Sequence, residues 1–361
     1  MADLMAGTYT YEALEKKYSR FQVPAAKIKI DGSDITSNKK IHVQEIRASL
    51  SLSHAGSVQV VLNRCYDFEN HELDSGLKGK AVPGKVLETE LGYGSDTLMI
   101  FKGYIAAVDV EFDAADGISL TITAMDVRRL MMTGGTHYLL HDVKNYSEAF
   151  EAVMKPYKKL CSAVTDATND QLESPLSQTV SDYDFITMEL IGTGRADREF
   201  FVVGDKVYFR KPRSAKSPVI SLGIQKGLYH FERSSSYVNV EVEVIGYDPA
   251  GQKNISGKAA AKSKDQQTAA LPAPGKRIWT APDAVTEAQA KARASALADR
   301  LVTKGQTGRI ECVGIPQIVP GRYIEIRGMD SMLDKKYYVT EVEHQIGEDG
   351  FVTIFEVGGW E

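Results

Sequence analysis

Alternation of apolar and polar side chains with a period of two runs through this chain and restricts most of it to half-buried β-strands. In 118–124 (ISLTITA), Ile118, Leu120, Ile122 and Ala124 share one face, and Ser119, Thr121 and Thr123 share the other. Residues 104–112 (YIAAVDVEF) set Asp109 and Glu111 opposite Val108 and Val110, and 48–53 (ASLSLS) repeats the pattern. The most regular run is 237–248 (YVNVEVEVIGYD), where Val238, Val240, Val242 and Val244 oppose Asn239, Glu241 and Glu243. One buried and one wetted face is the habit of antiparallel sheets and barrels.

Turn residues divide the chain. Ala55-Gly56, Pro83-Gly84 and Asp116-Gly117 punctuate a run of strands over 27–127, the last as a hairpin signal. Helical signals take over in 131–197. Ser147 is placed to cap a helix that Pro156 stops or kinks, and Ser181 with Asp184 opens a second helix that Gly192 ends. Two short strands, 198–203 and 206–210, follow around Gly204-Asp205. Residues 249–276 lose periodicity and turn small, polar and Pro/Gly-rich, which predicts a loop or tether. Thr286 and Gln289 form a capping-box pattern for an Ala-rich helix over 286–304, ended by Gly305, and the final strands are GRIECVGI, RYIEIRG, KYYVTEVEH and GFVTIFEV. The predicted fold class is α+β, mostly β: two β-rich regions flank a smaller helical middle.

Bulk properties exclude several classes. A length of 361 residues predicts about two to three domains. The net charge of -5 argues against a nucleic-acid binder, and the basic run Arg210 to Lys216 reads as a solvated loop. Three scattered cysteines, Cys65, Cys161 and Cys312, fit synthesis in a reducing cytoplasm rather than a disulfide framework. No signal peptide and no apolar stretch of about 20 residues is visible, so the expectation is a soluble protein with no membrane span.

Catalytic chemistry finds little footing. HYLLH (His137, His141) lacks the Glu that a zinc hydrolase needs after its first His. No G-x-S-x-G elbow appears, and GYGSDT and GTGRAD fall short of phosphate-binding loops. The expectation is no enzyme, no cofactor, no metal and no catalytic residue. The competing reading is a peptidoglycan hydrolase or a carbohydrate-binding module, because Asp and Glu are plentiful enough to supply a carboxylate pair. The acidic strand faces suggest a channel wall: Asp109, Glu111, Glu241 and Glu243 are candidate lining residues, since like charge keeps polyanionic cargo from sticking.

Two motif groups carry a family resemblance. One is the Ala-rich helix followed by Gly314-x-Pro316, Pro320-Gly321, Tyr337-x-Val339, His344 and Gly350-Phe351-x-Thr353. The other is Asp182-x-Asp184-Phe185 with the hairpin FFVVGDKVYFRKP, and Pro83 to Ile105 adds a weaker match. In this order they resemble the late control protein D family, the baseplate hub proteins of contractile phage tails and related injection machines, relatives of the VgrG proteins.

The resemblance implies an N-terminal arm (1–24), a tube-like antiparallel β-barrel (25–130), a helical or α+β middle domain (131–198), and a second tube-like barrel (199–358) interrupted by loop 249–276 and helix 286–304. It implies a homotrimer whose six barrels match a hexameric inner tube. The implied partners are a spike protein, a tail-tube or tube-initiator protein, and tape-measure and baseplate wedge proteins, with DNA or cargo only in transit. Assembly would begin in the bacterial cytoplasm and end in the baseplate of a virion or particle. Since the sequence ends at Trp360-Glu361 with no further barrel or β-helical needle, the spike is expected to be a separate chain.

Overall fold

The computed structural model describes residues 4–37, 40–114, 117–133, 138–172, 174–262 and 274–361. The chain is mostly β, and its largest element is a 13-stranded, mainly antiparallel sheet. The first region supplies β1 (Pro24–Ile30), β2 (His42–Ser51), β3 (Ser57–Asn63), β4 (Val86–Tyr93), β5 (Asp96–Asp113) and β6 (Gly117–Met125). The middle contains β7 (Ser162–Thr165), β8 (Glu199–Val203) and β9 (Lys206–Arg210). The last region supplies β10 (Pro218–Leu222), β11 (Leu228–Ser235), β12 (Asn239–Asp248), β13 (Lys253–Lys262), β14 (Gly275–Thr280), β15 (Gln306–Val313), β16 (Tyr323–Ile326), β17 (Lys336–Gly347) and β18 (Gly350–Trp360).

The main path runs β11-β15-β18-β17-β2-β3-β6-β5-β4-β1, and β16 and β10 continue from β17 as a branch. The two terminal regions are therefore one open sheet, not two separate closed barrels, and they meet where β17 pairs with β2 from Glu341↔Ser51 to Ile346↔Ile46. They also share a single core that joins Ile46, Val60 and Ile122 to Ile310, Val342 and Phe355. Alternation correctly marked which face of each strand is apolar, but it carries no information about which strand lies alongside.

Each region repeats one connection pattern. In the first, hairpin β2–β3 and hairpin β5–β6 are joined by the β3·β6 ladder, giving the order β2-β3-β6-β5. In the last, the pair β11–β15 and hairpin β17–β18 are joined by β15·β18, giving β11-β15-β18-β17. The long third strand of each set, β5 or β17, bends away so that its first half pairs with an extra strand, β4 or β16.

Two insertions interrupt this frame. The middle insertion has its own core, around Phe150, Phe185, Phe200 and Phe209. Its helices are α2 (Val127–Thr133), α3 (Tyr146–Met154) and α4 (Asp182–Asp184, running into a π-helix over Phe185–Gly192). Ser181 caps α4, accepting from the Asp184 N–H. The cap of α3 is Asn145 rather than Ser147, since Asn145 accepts from the Glu148 N–H while Ser147 is occupied with Thr168. The helix gives way at Met154 to a 3-10 turn that contains Pro156.

The second insertion packs α5 (Glu287–Lys304) on the sheet β13-β12-β14. Thr286 and Gln289 form the reciprocal capping box. Here the expected loop over 249–276 is corrected: Lys253–Lys262 and Gly275–Thr280 are strands, while the intervening 263–273 lies outside the described residues. The small side chains that masked a strand signal are what this packing needs. A Cβ on Gly257 would lie 2.1 Å from the Lys291 amide nitrogen, so only glycine lets α5 come this close.

The N-terminal arm is tied down. Its helix α1 (Tyr11–Lys17) buries Leu14, the Tyr18 hydroxyl accepts from Gln317 at 2.6 Å, and Arg322 donates to the carbonyls of Leu4 and Gly7. No helix of the described residues is long and apolar enough to cross a membrane.

Candidate functional site: a continuous polar sheet face

Residues paired directly across a ladder point to the same side, so the registers trace one face across eight strands from β11 to β5. Starting from the β11 end, His230 lies beside Glu311, Glu311 beside Ile354, and Ile354 beside Glu343. The row crosses into the first region through Glu343↔Ser49 and continues to Ser57. Neighbouring rows add Glu232, Arg309, Glu356 and Glu341, then Arg47, Gln59, Thr123 and Ala107, then Thr121, Asp109 and Glu111. The opposite face carries Phe231, Ile310, Phe355, Val342, Leu50, Val60 and Ile122, and all but Phe231 are fully buried.

The polar face is strongly acidic. Glu45, Asp109, Glu111, Glu232, Glu311, Glu341, Glu343 and Glu356 stand against Arg47 and Arg309. Arg47 is held by Glu45, which raises the guanidinium's affinity for its proton. His54 Nε2 lies 3.0 Å from the Glu341 carboxylate, and Glu343 accepts from Gln345 at 2.6 Å. These contacts orient the carboxylates while leaving a surplus of negative charge.

Of the four candidate lining residues, Asp109 and Glu111 belong to this face, exposed on the far half of β5. Glu241 and Glu243 do not. They lie on β12 in the separate sheet, where Lys258 faces both at 3.7 and 3.8 Å and Lys276 bonds Glu243. The Lys276 partner holds the Glu243 carboxyl below its ordinary range. Their charge is compensated locally, and α5 covers the other side of β12 at Val242 and Val244. Glu341, Glu343 and Glu356 went unremarked in the sequence, although their signal was there: the period-two spacing of TEVEH and TIFEV.

The motif residues form the scaffold behind the acidic face. His344 and Thr353 are fully buried, with His344 Nδ1 2.9 Å from Thr353 Oγ1. His344 Nε2 lies 3.1 Å from the Ile318 carbonyl, which can only accept, so Nε2 carries the proton. The Ile315 N–H donates to Thr353 Oγ1 at 3.0 Å. Gly314, Pro316, Pro320 and Gly321 form the buried loop that this chain of bonds pins to the sheet. A Cβ on Gly314 would lie 2.1 Å from the Phe351 ring, and the Gly314 carbonyl accepts from Tyr93 in the first region at 2.9 Å. Burial lowers the His344 pKa to about 4, so the ring is neutral. Tyr337 and Val339 are buried in the same core, and Gly350 forms the turn between β17 and β18.

Asp182 accepts from Tyr157 at 2.7 Å and from Gln178 at 2.8 Å, Asp184 accepts from Ser181, and buried Phe185 stacks on the His141 ring. His137 lies outside the described residues, and His141 is engaged by Gln178 at 2.7 Å. Among the described residues no cluster of His, Cys, Asp and Glu has the form of a metal site. A buried ion pair joins the middle insertion to the last region. Arg210 donates to Glu199 at 2.8 Å and to the Gly321 carbonyl, and Tyr338 donates to Glu199 at 2.5 Å.

The same fold occurs in a tail protein from Neisseria meningitidis MC58, with TM-score 0.69 and 13% identity over 93% of this chain and 97% of that one. It occurs also in the 43 kDa tail protein of prophage MuSo2 from Shewanella oneidensis, with TM-score 0.66 and 12% identity over 92% and 98%. An E. coli component of the type VI secretion system, described as structurally similar to the T4 tail proteins gp27 and gp5, aligns with TM-score 0.58 and 10% identity over 93% and 77%. No curated protein sequence matches the chain. A family model described as the Alg8 N-terminal domain matches residues 21–348, a different family from the one the sequence motifs resemble. On the extent of that match, the chain belongs to the Alg8 N-terminal domain family.

Proposed function

We propose that this protein is a structural baseplate hub of a contractile tail or related injection machine. Three copies form a ring that joins a spike below to the hexameric inner tube above and directs the acidic sheet face into the channel. The observation that carries this reading is the repeated strand order, β2-β3-β6-β5 and β11-β15-β18-β17, with one mainly polar face continuing across both. Each set is the tube-like module of its half of the chain, at about 25–130 and 199–358. Three chains then present six equivalent modules, which resolves the mismatch between a threefold spike and a sixfold tube. The fold shared with tail proteins supports the same assignment.

In this reading the middle insertion and the sheet under α5 sit outside the channel and meet wedge or spike proteins. Tape-measure protein, DNA or cargo passes the carboxylates of Asp109, Glu111, Glu341 and Glu343 without adhering, since like charges repel most effectively within about 8 Å at physiological salt. The test is ejection from particles that carry Glu341→Lys and Glu343→Lys. Both positions are on the wetted face, so assembly should proceed while ejection falls at least about tenfold. Ejection at the wild-type level would remove the channel-wall role.

A further inference from the structure

The small sheet under α5 ends on one side in an uncovered strand. We infer that the free edge of β14 takes up an extended segment of another protein, acidic opposite Lys276 and Arg277 and apolar opposite Ile278 and Trp279. The inference rests on the reading above in placing this sheet outside the channel, and it names the chemistry of the segment met there.

β14 lacks cover on its edge and on its faces. It pairs in parallel with β12 from Val240↔Gly275 to Ile245↔Thr280, and among the described residues no ladder lies on its other side. α5 lies across β13 and β12 and stops short of β14. Val242 and Val244 of β12 and Ile255 and Ala261 of β13 are buried, but no residue of β14 is. Parallel ladders are slightly weaker than antiparallel ones, and parallel strands are ordinarily covered on both faces. A six-residue parallel strand with no buried residue is therefore held by little within the chain. One more strand on its edge supplies the missing ladder.

Alternation fixes what that strand carries. Lys276 and Ile278 sit on the face away from α5, beside Glu241 and Glu243, whereas Arg277 and Trp279 share the α5 side with Val242 and Val244. Trp279 is half-buried at the margin of the core under α5, and Ile278 is 54% exposed. Lys276 bonds Glu243, but Arg277 is exposed and makes no hydrogen bond or ion pair among the described residues. β14 itself holds no carboxylate. Cross-strand neighbours that satisfy it are two successive acids followed by two apolar residues, one of each pair on either face. The basic pair turns away chains that lack an acid, so it selects as well as attracts. The opposite edge of this sheet is guarded: Lys253, Lys258 and Lys262 stud β13, whose Ala259 and Ala261 already pack under α5.

The test uses the full-length chain with the fluorescein-labelled peptide Thr-Thr-Asp-Glu-Ile-Val-Thr-Thr and its reversed sequence, so that both strand directions are offered. A version of each with Lys-Lys in place of the acid pair is the control. Anisotropy should show saturable binding of an acidic peptide below about 1 mM, and at least about tenfold weaker binding of its lysine version. Arg277→Glu, at an exposed position, should invert the preference, so that the lysine peptide binds better than the acidic one. In hydrogen exchange, amides of 275–280 should gain protection with the acidic peptide and not with the control. If neither acidic peptide binds, or if Arg277→Glu leaves the preference unchanged, the inference is overturned. Protection of 275–280 that rises with protein concentration in the absence of peptide would overturn it too, by giving the edge to a second copy. The channel reading is unaffected by any of these results, because ejection tests it separately.

Discussion

His344 and Thr353 face each other inside the last hairpin, ring Nδ1 2.9 Å from hydroxyl oxygen, and together they hold the loop from Gly314 to Gly321 against the sheet. The folded chain binds a proton at His344 only near pH 4, against 6.5 for a free imidazole. The stability that comes from keeping this ring neutral is present above pH 6.5 and is lost as pH falls from 6.5 through 4. The gap corresponds to about 3 kcal/mol. Urea unfolding between pH 7 and 4 should show this loss, and His344→Gln should flatten it. An identical pH profile in the variant would assign the acid sensitivity elsewhere.

Thr353→Val keeps the shape of the side chain but leaves the Ile315 N–H and the His344 ring nitrogen without their partner. Two buried polar groups are orphaned, so a loss of about 2 kcal/mol is expected. Thermal unfolding compared with Thr353→Ser, which retains the hydroxyl, separates the hydrogen bond from the methyl contact.

Arg210→Met should cost about 3 to 5 kcal/mol, because Glu199 would remain buried with its charge uncompensated. Adding Glu199→Leu should restore most of the loss, since removing both charges removes the desolvation penalty as well. A double variant as unstable as the single one would show that packing, not charge, is at stake.

Gly257→Ala should destabilise by about 2 kcal/mol, because the added methyl meets the α5 backbone. Denaturant unfolding followed by tryptophan fluorescence reads this directly, as Trp279 packs against the cluster under α5. Stability equal to the wild type would mean that α5 can shift outward freely.

The sequence carried strand faces well and strand partners poorly. Period-two spacing placed Leu120, Ile122 and Ala124 together on one face, which is the core side, and capping chemistry placed Ser181 and Thr286 at helix starts. It did not show that β17 lies beside β2, because that contact depends on register between segments about 290 residues apart. The strand Lys253–Lys262 escaped notice because Gly257, Ala259 and Ala261 are chosen for close approach to a helix rather than for β propensity. The most regular acidic strand, with Glu241 and Glu243, lies in a sheet separate from the one that carries Asp109 and Glu111. Lys258 and Lys276, which neutralise it, come from strands that sequence reading took as loop.

The most direct measurement of the central claim is a reconstruction of the assembled protein by single-particle electron microscopy. A threefold ring with Asp109, Glu341 and Glu343 pointing into a continuous lumen is the predicted result. A ring with that face turned outward, or closed against another protein, would contradict it.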